Sequence, residues 1–228
     1  MKRSFGLLYD LLMVLLILTG VIFRFSWTNW NEGADLHPDE YGLTSTLTAL
    51  HLPDSLSEYF NTRISPISPY QKYDIAGQPT DPGPDNRMRW GQWPITLIRA
   101  AAELTGNTGY TELRLMGRQL SALMDVLALI VLFLIGKRLY GERAGLMAAA
   151  LGSMAVLQIQ QSHFMTADNF GVLFCVLALY CAARTVRLPD LEEAPGAVWH
   201  WYALFGVFLG MAVATKINLV VLAGVIVL

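Results

Sequence analysis

The stretch "LRLMGRQLSALMDVLALIVLFLIG" (residues 113–136) decides the fold. From Leu120 to Ile135 it is almost unbroken hydrocarbon. About 20 apolar residues at roughly 1.5 Å each cross the ~30 Å core of a bilayer, so we read a membrane span over 115–135. Arg118 and Asp125 interrupt it. Seven residues apart, they share one helix face, with Ser121 and Ala122 between them. A charge at membrane depth is costly, faces the bundle interior and needs a partner. Asp125 therefore reads as a residue that ties spans together. Arg118, with Arg114 one turn above, lies towards one membrane boundary. A guanidinium there suits a phosphate, and it equally suits simple snorkelling to the interface.

Working outward, hydropathy places further spans at about 6–25, 143–161, 167–184 and 199–214, and a last one from about 217 that is cut at Leu228. "VVLAGVIVL" (220–228) is too short to cross alone and has no polar flank, so residues 1–228 read as the N-terminal part of one membrane domain. Composition agrees: 54% of residues are hydrophobic and 15% charged, with a mean hydropathy of +0.42, against roughly 25% charged in soluble domains. The net charge of −2 gives no nucleic-acid footprint. Residues 1–25 look like a signal peptide, but the apolar stretch is long and no small-residue cleavage site follows, so this is an uncleaved first span. Cys175 and Cys181 lie six apart in an apolar run, point in different directions and read as membrane-core filler.

Positive residues set the orientation. Lys2 and Arg3 precede the first span, Lys137, Arg138 and Arg143 fill "GKRLYGER" (136–143), and Arg184 and Arg187 follow the fourth. With alternating spans all three groups share one side, the cytoplasmic one. Residues 26–112, "QQSHFMTADN" (160–169) and "TKIN" (215–218) are then external. Structureless loops as long as 26–112 are uncommon, and two short helices are expected inside this one. They are "EYGLTSTLTAL" (40–50) and "WPITLIRAAAEL" (93–104), the second with an apolar face of Trp93, Leu97, Ile98, Ala101 and Leu104 and with Pro94 in its first turn. Such helices lie in the interface plane. The turn-rich 65–90 between them reads as a loop that shapes a substrate site or stays flexible.

The external loop opens with "ADLHPDEY" (34–41), where three carboxylates and a histidine crowd together. Pro38 favours a first helical turn at or near Asp39, at the positive end of the helix. Adjacent on a helix, Asp39 and Glu40 diverge by about 100°, so only one can lead into a given site. An ionised carboxylate there is a competent general base; acids at a helix start also simply stabilise the helix. On the same side, "SHFMTADNF" (162–170) carries Asp168 at the start of a span, with Thr166 placed to cap it, and His163 nearby. Lys216 emerges there too, so a cation shares a face with Asp39 and Asp168. His37 with Asp39, and His163 with Asp168, have the chemistry of metal ligands, and a divalent metal stays open as a cofactor.

A first span followed by external His37-Pro38-Asp39-Glu40 is similar to the acidic first-loop motif of GT-C membrane glycosyltransferases. "RWGQWPITLIRAAAEL" (89–104) resembles the aromatic-Gly-x-x-Pro-x-x-x-x-Arg stretch of the bacterial protein-mannosyltransferase-like branch, which uses phospholipid carriers. Residues 116–170 resemble its middle section, and "GMAVATK" (210–216) its approach to a Thr-Lys pair. The resemblance implies an all-α integral membrane fold of GT-C type, a multi-span bundle with interfacial helices in a long first external loop. It implies inverting transfer of a sugar from a polyprenyl-phosphate carrier to a protein, lipid or glycan acceptor on the outer face of a bacterial plasma membrane. Asp39 resembles the family's base, with Glu40 its neighbour in the motif. Asp168 resembles a recurrent acid and Lys216 the family lysine. With them we group Arg118, His163 and His37 as substrate-binding candidates. Tyr41-Gly42 departs from the family, which carries a bulky or basic residue at the second place. Two rival classes remain, an ion-coupled transporter relaying through Asp125, Asp168 and Lys216, and a non-catalytic membrane subunit that docks through its long loop.

Overall fold

A computed structural model describes residues 2–34, 36–68, 76, 78, 91–186 and 198–226. Asp35, most of the 65–90 loop, Arg187 and the last two residues lie outside this description. Helices form the architecture, and no strand occurs among the described residues. The first helix, α1 (Lys2–Phe25), is followed in the loop by α2 (Pro38–Ala49), α3 (Leu56–Phe60) and α4 (Gln92–Thr105). Then come α5 (Tyr110–Tyr140), α6 (Glu142–Ser153), α7 (Val156–Ser162), α8 (Asp168–Thr185) and α9 (Trp199–Thr215). A 3₁₀ helix over Ile217–Ile226 closes the described chain. Among the described residues three helices are long and apolar enough to cross a membrane: α1 over Leu7–Phe25, α5 and α8. α9 is apolar but shorter, with 17 residues.

Packing follows from side-chain size. α5 is the central helix, laid against α6 on one side and α8 on another, and α9 packs on α8. The α5–α6 hairpin turns at Gly141, whose φ of +90° suits glycine, and its arms touch backbone to backbone. A Cβ on Gly136 would stand 2.8 Å from the Cα of Gly145. Small residues at a helix crossing permit this approach in lipid. The outer faces stay greasy: Leu7, Leu11, Leu15, Leu18 and Ile22 of α1 are all exposed, as are Met147 and Leu151 of α6. In a membrane these faces meet acyl chains.

Three expectations from the sequence change. The segment 143–161 is not one span but two helices, broken at Met154 and Ala155. There the carbonyls of Gly152 and Ser153 take hydrogen bonds from Arg24, at 2.9 and 3.1 Å, and Gly152 also keeps the Ala155 amide at 3.3 Å. On α4 the buried face is Pro94, Ile95, Ile98, Arg99 and Ala102, about one position round from the expected stripe, and Leu104 is 88% exposed. Arg99 turns inward because it has two oxygens to meet, Glu103 Oε1 at 2.6 Å and the carbonyl of Leu47 at 3.1 Å. Thr166 does not cap α8: its Oγ1 is buried without a partner among the described residues, and the N-cap residue is Ala167. Asp125 does tie spans together, as its depth in the span demands: it pairs with Arg24 of α1, at 2.5 Å.

Candidate active site

The site is assembled at one end of the bundle, where α5 and α9 meet the loop helices α2 and α4. Proline is well placed at the first position of α2, where no amide is missed, and Asp39 and Glu40 fall in its first turn. Thr44 and Thr48 return their hydroxyls to carbonyls four residues back, so α2 can pack inward with its polar groups satisfied. Leu43 and Leu47 then join Ile95 and Ile98 of α4 and Phe170 of α8 in one apolar core. The N-terminus of α4 is stitched to the end of α9 by the Gly91 amide, which donates to the carbonyl of Thr215 at 3.0 Å. The approach is so close that a Cβ on Gly91 would stand 2.0 Å from the Ala214 carbonyl oxygen.

Within this frame the two adjacent acids part company. Glu40 is wholly buried against Arg118, with Nε to Oε1 at 2.7 Å and a terminal nitrogen to Oε2 at 2.6 Å. Its Oε1 also accepts the Met165 amide at 2.8 Å. Arg118 is equally buried and donates further to the Thr28 carbonyl and to Asn31 Oδ1, at 2.7 and 3.0 Å. The guanidinium that the sequence offers as a phosphate partner is thus already filled by a carboxylate and the α1–α2 connection. Arg114, also buried, holds the Gly33 carbonyl of the same connection at 2.9 Å. Asp39 is half-buried, and no hydrogen bond or ion pair to a described residue engages its carboxylate.

Asp168 and Lys216 do come together: Nζ stands 2.5 Å from Oδ1, with side chains 30% and 43% exposed for the lysine and the acid. A lysine ammonium has three donors, so two remain available here. His163 sets one ring nitrogen 2.7 Å from the Ile159 carbonyl and the other 2.8 Å from the Ser26 carbonyl, which makes it a clamp between α1 and α7. The His37 ring packs on Phe164 at 4.7 Å between centroids, and its Nδ1 is buried without a partner among the described residues. In the loop, burial raises the Glu103 carboxyl, but hydrogen bonds from Arg99 and from the Leu52 amide, with the charges of Arg99 and His51, outweigh it and hold Glu103 below its ordinary value.

The sequence reading missed Arg24, Asn169 and Arg99 as organising residues. Arg24 ends α1 fully buried. Asn169 donates to Ser121 Oγ at 3.1 Å and to Ser162 Oγ at 3.3 Å, joining α8 to α5 and α7. The available signal was an arginine or an asparagine at the edge of an apolar run, a place where a partner is demanded.

A helical membrane bundle with loop helices folded over one end is the architecture of the GT-C glycosyltransferases, and solved structures match it. The oligosaccharyltransferase of Archaeoglobus fulgidus, in complex with Zn and sulfate, superposes over 93% of this chain with a TM-score of 0.63 at 18% identity. AglB from Archaeoglobus fulgidus, with an inhibitory peptide and a dolichol-phosphate, matches 95% of this chain with a TM-score of 0.63 at 19% identity. The chain spans about a quarter of those proteins, 26% and 24% respectively. No curated protein matches it by sequence. The chain belongs to the dolichyl-phosphate-mannose-protein mannosyltransferase family, whose profile matches residues 93–228. It is an integral membrane protein.

Zinc in one neighbour raises the question of a metal here. Among the described residues no three His, Cys, Asp or Glu side chains converge. Lys216 occupies one side of Asp168, and both ring nitrogens of His163 face carbonyls. Engaged in this way, the His163–Asp168 pair does not fit a metal.

Proposed function

We propose that the protein is a membrane glycosyltransferase that moves a sugar from a polyprenyl-phosphate carrier to an acceptor hydroxyl on the non-cytoplasmic face, by inverting displacement. The observation that carries this reading is the contrast at residues 39 and 40. The second acid is locked into the fold by Arg118, while the first stands half-buried and unengaged by the described residues. The acceptor oxygen attacks the anomeric carbon from the side opposite the carrier phosphate. Asp39 takes its proton, and the carbon–oxygen bond to the phosphate breaks with its electron pair going to the phosphate. Lys216, oriented by Asp168 and with two donors spare, meets the charge that develops there. Glu40 and Arg118 hold α2 in place, and His37 and His163 shape the edge of the site. Family membership supports the lipid-phosphate donor, and the peptide and dolichol-phosphate bound to a neighbour of like fold support a protein acceptor. Lys2, Arg3, Lys137, Arg138 and Arg143 support a cytoplasmic N-terminus, as in a bacterial plasma membrane.

The test is transfer of radiolabelled sugar from polyprenyl-phosphate donors in membranes holding the full-length protein. Asp39→Asn at equal expression should lower transfer at least ~100-fold, the scale of a lost general base. Full transfer by Asp39→Asn would move the base elsewhere. No transfer by the wild type from any common carrier sugar would return the transporter and docking readings.

A further inference from the structure

We propose that Arg24 is a positioning residue for the transfer reaction: with Asp125 it pins both ends of α7, and so sets where the 163–168 turn meets the site. The link to the reaction rests on the glycosyltransferase reading; the link to the turn does not. In a continuous helix the carbonyls of Gly152 and Ser153 would accept amides one turn on. The break before α7 removes those amides: Gly152 keeps only a 3.3 Å bond from the Ala155 amide, and no backbone donor among the described residues replaces the one lost to Ser153. Arg24, the last cation of α1 and wholly buried, reaches both carbonyls: one terminal nitrogen meets Gly152 at 2.9 Å, the other Ser153 at 3.1 Å. Its Nε holds Asp125 Oδ2 at 2.5 Å. That same carboxylate oxygen accepts Ser162 Oγ, at the far end of α7, at 3.0 Å. One ion pair therefore grips the entry to α7 through two carbonyls and its exit through a hydroxyl.

What leaves that exit is the site. Directly after Ser162 come His163 against Ser26, the Met165 amide on Glu40, and Asp168 on Lys216. A tilt of α7 is carried straight into the turn that holds Glu40 and delivers Asp168. Only a guanidinium serves this post, because its rigid planar fork reaches a carboxylate and two carbonyls at once, whereas an ammonium is a single point.

The experiment compares wild type, Arg24→Lys and Ser162→Ala as full-length proteins in nanodiscs. Hydrogen exchange is followed by mass spectrometry, with kcat and donor KM measured per folded molecule. Arg24→Lys keeps the charge beside Asp125 and loses the fork. We expect peptides covering 156–168 to exchange faster while those of α8 and α9 hold their rates. We expect kcat to fall roughly 10- to 100-fold, the scale of a slightly misplaced catalytic group, with donor KM within about threefold of wild type. Ser162→Ala releases only the exit and should show the same pattern more weakly; it decides the matter if Arg24→Lys does not fold. Unchanged exchange over 156–168 in the folded variants overturns the proposal, as does a loss of kcat matched by an equal rise in KM. If the wild type transfers no sugar while the exchange shift appears, the glycosyltransferase reading fails and the pinning of the turn stands.

Discussion

Two ion pairs close the same end of this bundle, and they are built in opposite ways. Glu40–Arg118 is sealed and double-pronged, and every oxygen of the carboxylate is answered. Asp168–Lys216 is a single contact between side chains that both reach solvent. A buried fork fixes geometry, because neither partner can leave without exposing an uncompensated charge to a dry interior. A half-open lysine can turn towards an incoming anion at little cost. On the proposed reading, neighbouring charged residues in one site divide into those that build it and those that work in it, and burial is what divides them.

The sharpest way to break this comparison is at the sealed pair. Glu40→Gln should destabilise the fold by about 3–5 kcal/mol, the cost of orphaning a buried charge, seen as a lower melting temperature of the purified protein. Removing both partners, as Glu40→Leu with Arg118→Leu, should cost less than either single change. The open pair should behave the other way round. Lys216→Gln should lower kcat about 100-fold, as for a lost electrostatic donor, while the melting temperature moves by no more than an exposed pair is worth, roughly 1 kcal/mol. A large melting shift with intact turnover would reverse the two roles. Glu103, paired with Arg99 and 31% exposed, stands between them and should give the smallest effect. Its carboxyl is held below the ordinary 4.5, so its contribution is complete above that pH and is lost as pH falls through the lower folded value. Melting followed against pH in wild type and Glu103→Gln should show a gap of under about 1 kcal/mol near neutrality, closing in acid.

Much of this was legible from residue order. The apolar runs of α1, α5 and α8 announce themselves by length, and the loop helices by proline and periodicity. Asp168 and Lys216 could be placed on one face because span counting alone brings both to the same side. What stayed hidden was choice of partner. Asp125 demanded a cation, but whether Arg118 or Arg24 answered depends on the rotation of α1 against α5, which no local pattern encodes. The break before α7 was hidden for the same reason: "GSMAVLQ" (152–158) has no proline, and the break is completed by an arginine from another helix. The face of α4 was misjudged because hydropathy ranks residues by dislike of water. Beside a membrane, a leucine facing outward and a leucine facing inward look alike, while Arg99 is drawn inward by waiting oxygens.

The Gly91–Thr215 stitch has a consequence for how the protein is made. Residue 91 leaves the ribosome well before residue 215, and at roughly 5–20 residues per second the interval is on the order of ten seconds. Through that interval the first loop and its acids are already synthesised, but the strap that orders them has no anchor. Only when α9 arrives does the Thr215 carbonyl become available and the start of α4 lock down. Assembly of the site is thereby placed late in biogenesis, after the helices around it have been laid in.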